Sequence, residues 1–213
     1  MPRSPLYEVL AFGDSLTRGA DPGAGQRHRF DDRWPNILQI GLQGLAHVIA
    51  EGLGGRTTAY DDPEGGPDLN GARVLPLLLA SHAPLDLIMI MLGTNDLKPS
   101  IHGHAEGVAA GIEVLIDIIQ ARGVSKKILL VSPPHFTASP NHGGQARAGR
   151  SIEESRRVAP LLREIARRRF LVFFDASTVA IASAVDGVHL DSENTRALGM
   201  ALIPLVRDIL SEP

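Results

Sequence analysis

Short apolar segments rich in β-branched residues alternate along this chain with longer segments of helical periodicity. Continuous apolar runs of about four to eight residues are typical of strands that are covered on both faces. The alternation therefore predicts an α/β fold with three layers, α/β/α, around a mainly parallel sheet of five strands. The predicted strands are Glu8–Phe12, Ala46–Ala50, Leu85–Met91, Lys127–Ser132 and Leu171–Asp175, and the predicted helices are Trp34–Leu45, Gly71–His82, Ala105–Arg122, Ser151–Arg169 and Ser192–Leu210.

Chain length, net charge and composition exclude several classes of function. The 213 residues contain no evident repeat or linker, so we expect a single domain over residues 1–213. A net charge of -3 argues against nucleic acid as a partner, and the absence of cysteine excludes thiol catalysis and thiolate metal sites. No apolar run approaches ~18 residues, and the N-terminal segment lacks the apolar core of a signal peptide. We therefore expect no membrane span and a cytoplasmic location.

Polar or glycine-rich segments stand where predicted strands end. Gly13-Asp14-Ser15 follows the first strand, "EGLGGRT" (51–57) the second and "LGTND" (92–96) the third, while "VDGVHLD" (185–191) precedes the last helix. Ligand sites in parallel α/β sheets lie at the carboxyl ends of the strands. We expect these four segments to meet at that edge of the sheet.

The residues in these segments form a set suited to acyl transfer. A serine hydroxyl becomes a good nucleophile only when a base takes its proton, and His189 can be that base for Ser15. The other ring nitrogen of the histidine needs a carboxylate partner, which Asp186 can supply from a turn that contains Gly187. The oxyanion of the intermediate needs donors, and the N–H groups of Ser15 and Gly55 with the side-chain amide of Asn95 are the candidates.

The quoted residues also carry a family resemblance. "FGDSLTRG", "GLGGRT", "GTND" and "DGVHL" resemble, in order, the four sequence blocks of the GDSL esterases, or SGNH hydrolases, and they span residues 12 to 190. The resemblance implies the flavodoxin-like fold of that family, with Ser15 as nucleophile, His189 as base and Asp186 as the third member of the triad. It also implies Gly55 and Asn95 as oxyanion donors, with Gly54 as the nearest rival to Gly55.

Within that family, the chain is most similar to short bacterial arylesterases and a related mycobacterial acyltransferase. This likeness implies a serine carboxylesterase that hydrolyses small short-chain or aryl esters, without cofactor or metal, and that forms a homo-oligomer, an octamer by resemblance. It also suggests acyltransferase or perhydrolase side activity, although the acyltransferase has tryptophan at the positions equivalent to Arg18 and Ala20. An acetylxylan-type or thioester-directed esterase is the alternative.

Two more remote functions stay open at this point. Asp14 and Thr17 resemble parts of the Asp-x-Asp-x-Thr loop of metal-dependent phosphatases, but Leu16 stands where the second aspartate is needed. A non-catalytic module on the same scaffold is the other possibility. His102 and His104 are a weak cue for a metal, since no carboxylate accompanies them at a defined spacing.

Adjacency and loop length suggest the surroundings of the site. Leu16, Thr94 and Val188 flank the catalytic candidates, and we expect them to shape the substrate pocket. The long segment Pro133–Arg150 follows a predicted strand and is expected to overhang the site. A basic stretch begins within it, and we interpret that stretch as a solvated face; it comprises Arg147, Arg150, Arg156 and Arg157.

Overall fold

Five parallel strands form one sheet at the centre of the structure, a computed structural model that describes residues 6–23, 25–65, 68–125 and 127–211. The strand order is β2-β1-β3-β4-β5, which confirms the predicted parallel α/β architecture. The strands are β1 (Tyr7–Gly13), β2 (Ala46–Gly52), β3 (Leu87–Met91), β4 (Ile128–Ser132) and β5 (Val172–Asp175). Their carboxyl ends lie on one edge of the sheet, because all neighbouring strands run in the same direction.

Helices cover both faces of the sheet and complete the three layers. The alternation along β3 shows why, since Leu87, Met89 and Met91 join one apolar cluster while Ile88 and Ile90 join another. α2 and α6 pack on the first face, and α3, α4 and α5 pack on the second. The helices are α1 (Ser15–Arg18), α2 (Trp34–Gly41), α3 (Gly71–His82), α4 (Ala105–Arg122), α5 (Ile152–Arg169) and α6 (Ser192–Ser211).

Element boundaries differ from the predicted ones by a few residues. α2 ends at Gly41 rather than at residue 45, because Gln43 and Gly44 have φ values of +52° and +81° and cannot continue a right-handed helix. β2 continues to Gly52, and β3 begins two residues after its predicted start. Among the described residues, no helix combines the length and apolar character needed to cross a bilayer.

Candidate active site

The turn from β1 into α1 presents Ser15. Asp14 is the N-cap of α1, since its Oδ1 accepts a hydrogen bond of 2.9 Å from the backbone N–H of Leu16. Ser15 is thus the first residue of the helix and not its cap. Gly13 is needed for this turn, because a Cβ there would overlap the side chain of Thr17. As a result, strand β1 delivers the Ser15 hydroxyl to the edge of the sheet.

Ser15, His189 and Asp186 form a continuous chain of hydrogen bonds. His189 Nε2 lies 2.9 Å from Ser15 Oγ, and His189 Nδ1 lies 2.5 Å from Asp186 Oδ2. The other carboxylate oxygen, Asp186 Oδ1, accepts the backbone N–H groups of Val188 and His189 at 3.0 and 2.9 Å. Because these two bonds lock the carboxylate, Oδ2 is held against the imidazole.

The surroundings of Asp186 keep its carboxylate ionised. Burial by itself would raise the pKa of Asp186, whose exposed fraction is 3%. Hydrogen bonds from the His189 ring and from the backbone N–H groups of His189 and Val188 outweigh that effect and lower the pKa to about 2. At neutral pH the group is therefore an anion that can balance a positive charge on the imidazole.

The candidate oxyanion donors line the same cleft as Ser15 and His189. Gly54, Gly55 and Asn95 all contribute to a cavity of about 700 Å³. Gly55 has φ +85°, in the left-handed region, and a Cβ there would approach Leu69 Cδ1 to 2.9 Å, so the position requires glycine. Asn95 is 4% exposed, and its Nδ2 donates to the carbonyl oxygen of Arg56 at 3.0 Å. Ser15 and the candidate donors at Gly54, Gly55 and Asn95 therefore line one cleft.

Comparison with known proteins identifies the family, since its sequence model matches residues 11–197. The chain belongs to the GDSL-like lipase/acylhydrolase family. By family and fold it is a serine ester hydrolase.

Two solved structures are similar over nearly the whole chain. An Agrobacterium tumefaciens protein assigned as an arylesterase is 51% identical with a TM-score of 0.91, covering 96% of this chain and 100% of its own. A carbohydrate acetylesterase family member from Sinorhizobium meliloti is 48% identical, also with a TM-score of 0.91, covering 97% and 100%. Among curated proteins, the GDSL lipase Rv0518 of Mycobacterium tuberculosis is 26% identical over 134 residues, which are 62% of this chain. The match spans only 54% of that lipase.

Asp96, the last residue of the GDSL family's "GTND" segment in this chain, ties two loops of the site together. Its buried carboxylate accepts the backbone N–H of Thr58 at 3.0 Å and also the Thr58 hydroxyl. Burial raises the pKa of Asp96 to about 6, against the lowering effect of the Thr58 hydrogen bonds and with a smaller contribution from the charge of Asp14. The loop after β2, which carries Gly55, is thereby linked to the loop after β3, which carries Asn95.

The three residues expected to shape the substrate pocket do not line the cleft. Leu16, Thr94 and Val188 are 3%, 2% and 2% exposed, and the side chains of Leu16 and Val188 belong to the apolar clusters beneath the sheet edge. Neighbouring side chains in tight turns point to different sides, so adjacency to Ser15, Asn95 or His189 does not bring a side chain into the cleft. The walls of the cleft are formed by other residues, among them Arg18, Ala20, Lys98, Ser100 and Arg147.

The structure also locates the residues that suggested a phosphatase or a metal site. Asp14 is 0% exposed and Thr17 is 1% exposed, so neither side chain reaches the cleft. The ring of His102 packs near the ring of Tyr60, with 5.4 Å between centroids. Within the described ranges, no three His, Asp or Glu side chains come together as a set of metal ligands.

The segment 133–150 borders the site as expected, but one of its arginines was misjudged from sequence. The backbone N–H of Arg147 donates to the carbonyl oxygen of Asp186 at 2.8 Å, and that of Thr137 donates to Gly187 at 3.0 Å. Arg150, predicted on a solvated face, is only 6% exposed and bonds to Asn95. The available signal was its position at the end of a long loop that follows a strand of the catalytic edge.

Proposed function

We propose that this protein is a serine carboxylesterase in which Ser15 is the nucleophile, His189 the general base and Asp186 the carboxylate that orients the histidine. The observation that carries the proposal is the hydrogen-bonded chain from Ser15 Oγ through the imidazole to Asp186, at the edge of an open cleft. The Nδ1 bond to an ionised carboxylate favours the tautomer whose Nε2 lone pair faces the serine.

Acylation follows from this geometry. Ser15 Oγ attacks the ester carbonyl carbon while His189 Nε2 takes the hydroxyl proton, and the carbonyl oxygen becomes an oxyanion. The backbone N–H groups of Ser15 and Gly55 and the Nδ2 of Asn95 stabilise that charge, and loss of one such donor typically costs about 10²–10³ in rate. The intermediate then collapses, the ester C–O bond breaks, and His189 returns the proton to the leaving alcohol.

Deacylation repeats the sequence with water. His189 Nε2 takes a proton from a water molecule, whose oxygen attacks the acyl carbon bonded to Ser15 Oγ. The second oxyanion occupies the same donors, and its collapse releases the carboxylic acid and returns the proton to Ser15. The developing imidazolium is balanced by Asp186 in both half-reactions.

The cleft favours small polar esters as substrates. Its volume of about 700 Å³ suits a small molecule, and the wall carries Arg18, Lys98, Ser100 and Arg147 rather than a continuous apolar surface. Two of the relatives described above are a protein assigned as an arylesterase and a carbohydrate acetylesterase family member. We therefore propose acetyl and other short-chain esters of phenols or of carbohydrates as the substrate class.

Replacement of the nucleophile tests this function. We expect Ser15→Ala to lower kcat for 4-nitrophenyl acetate by at least about 10⁴-fold while the thermal unfolding curve stays unchanged. Ser211→Ala, at the exposed end of α6, is the matched control and should retain full activity. Wild-type kcat/KM should also fall from acetyl to octanoyl esters. Turnover that survives in folded Ser15→Ala protein would contradict the proposal.

We further propose, on the family resemblance, a cytoplasmic homo-oligomer with some acyl transfer to alcohols or peroxide. Sedimentation velocity measures the assembly, and a monomer at micromolar concentration would contradict it. The ratio of transester to acid product, with an added alcohol, measures the transfer activity.

A further inference from the structure

Arg150 lies buried directly behind the amide of Asn95. Its Nη2 donates a hydrogen bond of 2.9 Å to Asn95 Oδ1, and its Nε donates one of 2.9 Å to the carbonyl oxygen of Thr94. Its Nη1 donates to the carbonyl oxygen of Arg147 at 2.6 Å. The planar guanidinium thus engages three acceptors on two loops, and this fork holds it in one orientation.

These contacts fix which end of the Asn95 amide faces the cleft. A guanidinium can only donate hydrogen bonds, so the amide end that faces Arg150 must be the oxygen. The NH₂ end then points away from Arg150, and one of its two hydrogens is directed to the carbonyl oxygen of Arg56 at 3.0 Å. The second hydrogen is left for the cleft, which Asn95 lines.

The charge of Arg150 acts in the same direction as its geometry. Burial lowers the pKa of Arg150 to about 10, partly opposed by the carboxylates of Asp14, Asp186 and Asp62, so the group stays a cation at neutral pH. A cation that donates to an amide oxygen polarises the amide and makes its N–H a stronger donor. An oxyanion at the other end of that amide is stabilised as a result.

We propose that Arg150 is the positioning residue of the oxyanion hole, which locks and polarises the Asn95 amide so that one N–H faces the substrate carbonyl. This inference rests on the proposed function of Ser15 and Asn95. The neighbouring Arg147 N–H holds the carbonyl oxygen of Asp186, so one loop supports both the oxyanion donor and the triad.

A double-mutant cycle tests the inference with 4-nitrophenyl acetate. We expect Arg150→Met, which keeps the length of the side chain, to lower kcat on the order of 10- to 100-fold with KM within about twofold. Asn95→Ala alone should lower kcat by about 10²–10³. In the Asn95→Ala background, Arg150→Met should lower kcat by less than about threefold, because the group it positions is already gone. An equal loss in both backgrounds, or an unchanged kcat in Arg150→Met, would overturn the proposal.

Three further variants complete the experiment. Arg156 is exposed on α5, so Arg156→Met should keep wild-type kcat and serves as the matched control. Arg150→Lys retains the charge but not the planar fork, and the same cycle is run with it if the methionine variant does not fold. Ser15→Ala is assayed in parallel: activity in that variant would refute the proposed function, whereas an inactive Ser15→Ala with no coupling between Arg150 and Asn95 would refute this inference alone.

Discussion

Replacement of Asp186 by asparagine should invert the chemistry of the triad while leaving its shape intact. Asp186 Oδ1 accepts two backbone N–H groups, from Val188 and His189. An asparagine must place its oxygen at that position, because its NH₂ group cannot accept them. Its NH₂ then faces His189 Nδ1, which must act as the acceptor. The proton therefore moves to Nε2, and the nitrogen that faces Ser15 loses its lone pair.

The size of the effect follows from these contacts. A base held in the wrong tautomer costs about 10⁴ in kcat, or about 5 kcal/mol at ~1.4 kcal/mol per tenfold. The folded-state pKa of Asp186 is about 2 against a usual 3.8, so its carboxylate contributes about 2 kcal/mol to the free energy of unfolding. That contribution is complete above pH ~4 and disappears as the pH falls through about 2. At pH 7, Asp186→Asn should lose it and lower Tm by several degrees.

The assay compares Asp186→Asn with Asp186→Ala, using 4-nitrophenyl acetate turnover and thermal unfolding. Asp186→Ala leaves the buried N–H of Val188 and the half-buried N–H of His189 without acceptors. A buried unpaired N–H costs about 1–3 kcal/mol, so this should be the less stable variant. Its histidine is free to adopt the productive tautomer, so its kcat per folded molecule should be at least that of Asp186→Asn. The reasoning fails if folded Asp186→Asn retains more than about a tenth of wild-type kcat.

Two further predictions concern the loops that hold the proposed oxyanion donors. Gly55→Ala should lower kcat more than Gly54→Ala does, because only residue 55 combines φ +85° with a side chain, Leu69, within 2.9 Å of the new Cβ. Equal kcat values would contradict this expectation, and a larger loss in Gly54→Ala would favour Gly54 as the donor. Asp96 has a folded-state pKa of about 6 and an ordinary value of 3.8, so it binds its proton more tightly in the folded chain, and its contribution to stability rises as pH falls from 7 to 4. Wild-type Tm relative to Asp96→Asn should therefore increase on acidification, and a difference that does not change with pH would argue against the raised pKa.

The sheet was predictable because buried strands have a simple signature. β3 and β4 are apolar at almost every position, as parallel strands between two helical layers must be. The positions of Ser15 and Asn95 follow from this architecture, since each stands just after a strand at the carboxyl edge. The end of α2 was harder to predict, because it depends on the left-handed backbone of Gln43 and Gly44, and glutamine rarely adopts that conformation.

The directions of side chains and the paths of long loops could not be predicted from the sequence. Leu16 follows Ser15, yet the first turn of α1 directs its side chain into the core, and adjacency in sequence cannot reveal that direction. Arg150 looks like Arg156 in a stretch of four arginines, and only the path of the loop decides that one is buried behind an amide while the other is solvated. Local sequence patterns indicate periodicity and turns. They do not indicate which distant part of the backbone a long loop will contact.

The hydrogen bond between Ser15 and His189 joins positions that are 174 residues apart along the chain. Four of the five strands and most of the helices lie between these two positions in the sequence, so ester turnover requires the chain to be complete at least as far as His189. A nascent polypeptide that still lacks the turn with Asp186 and His189 should show no esterase activity, even when β1 to β4 have already assembled. Two separately made fragments, each inert, should become active only on docking, which makes this enzyme a natural reporter for fragment complementation.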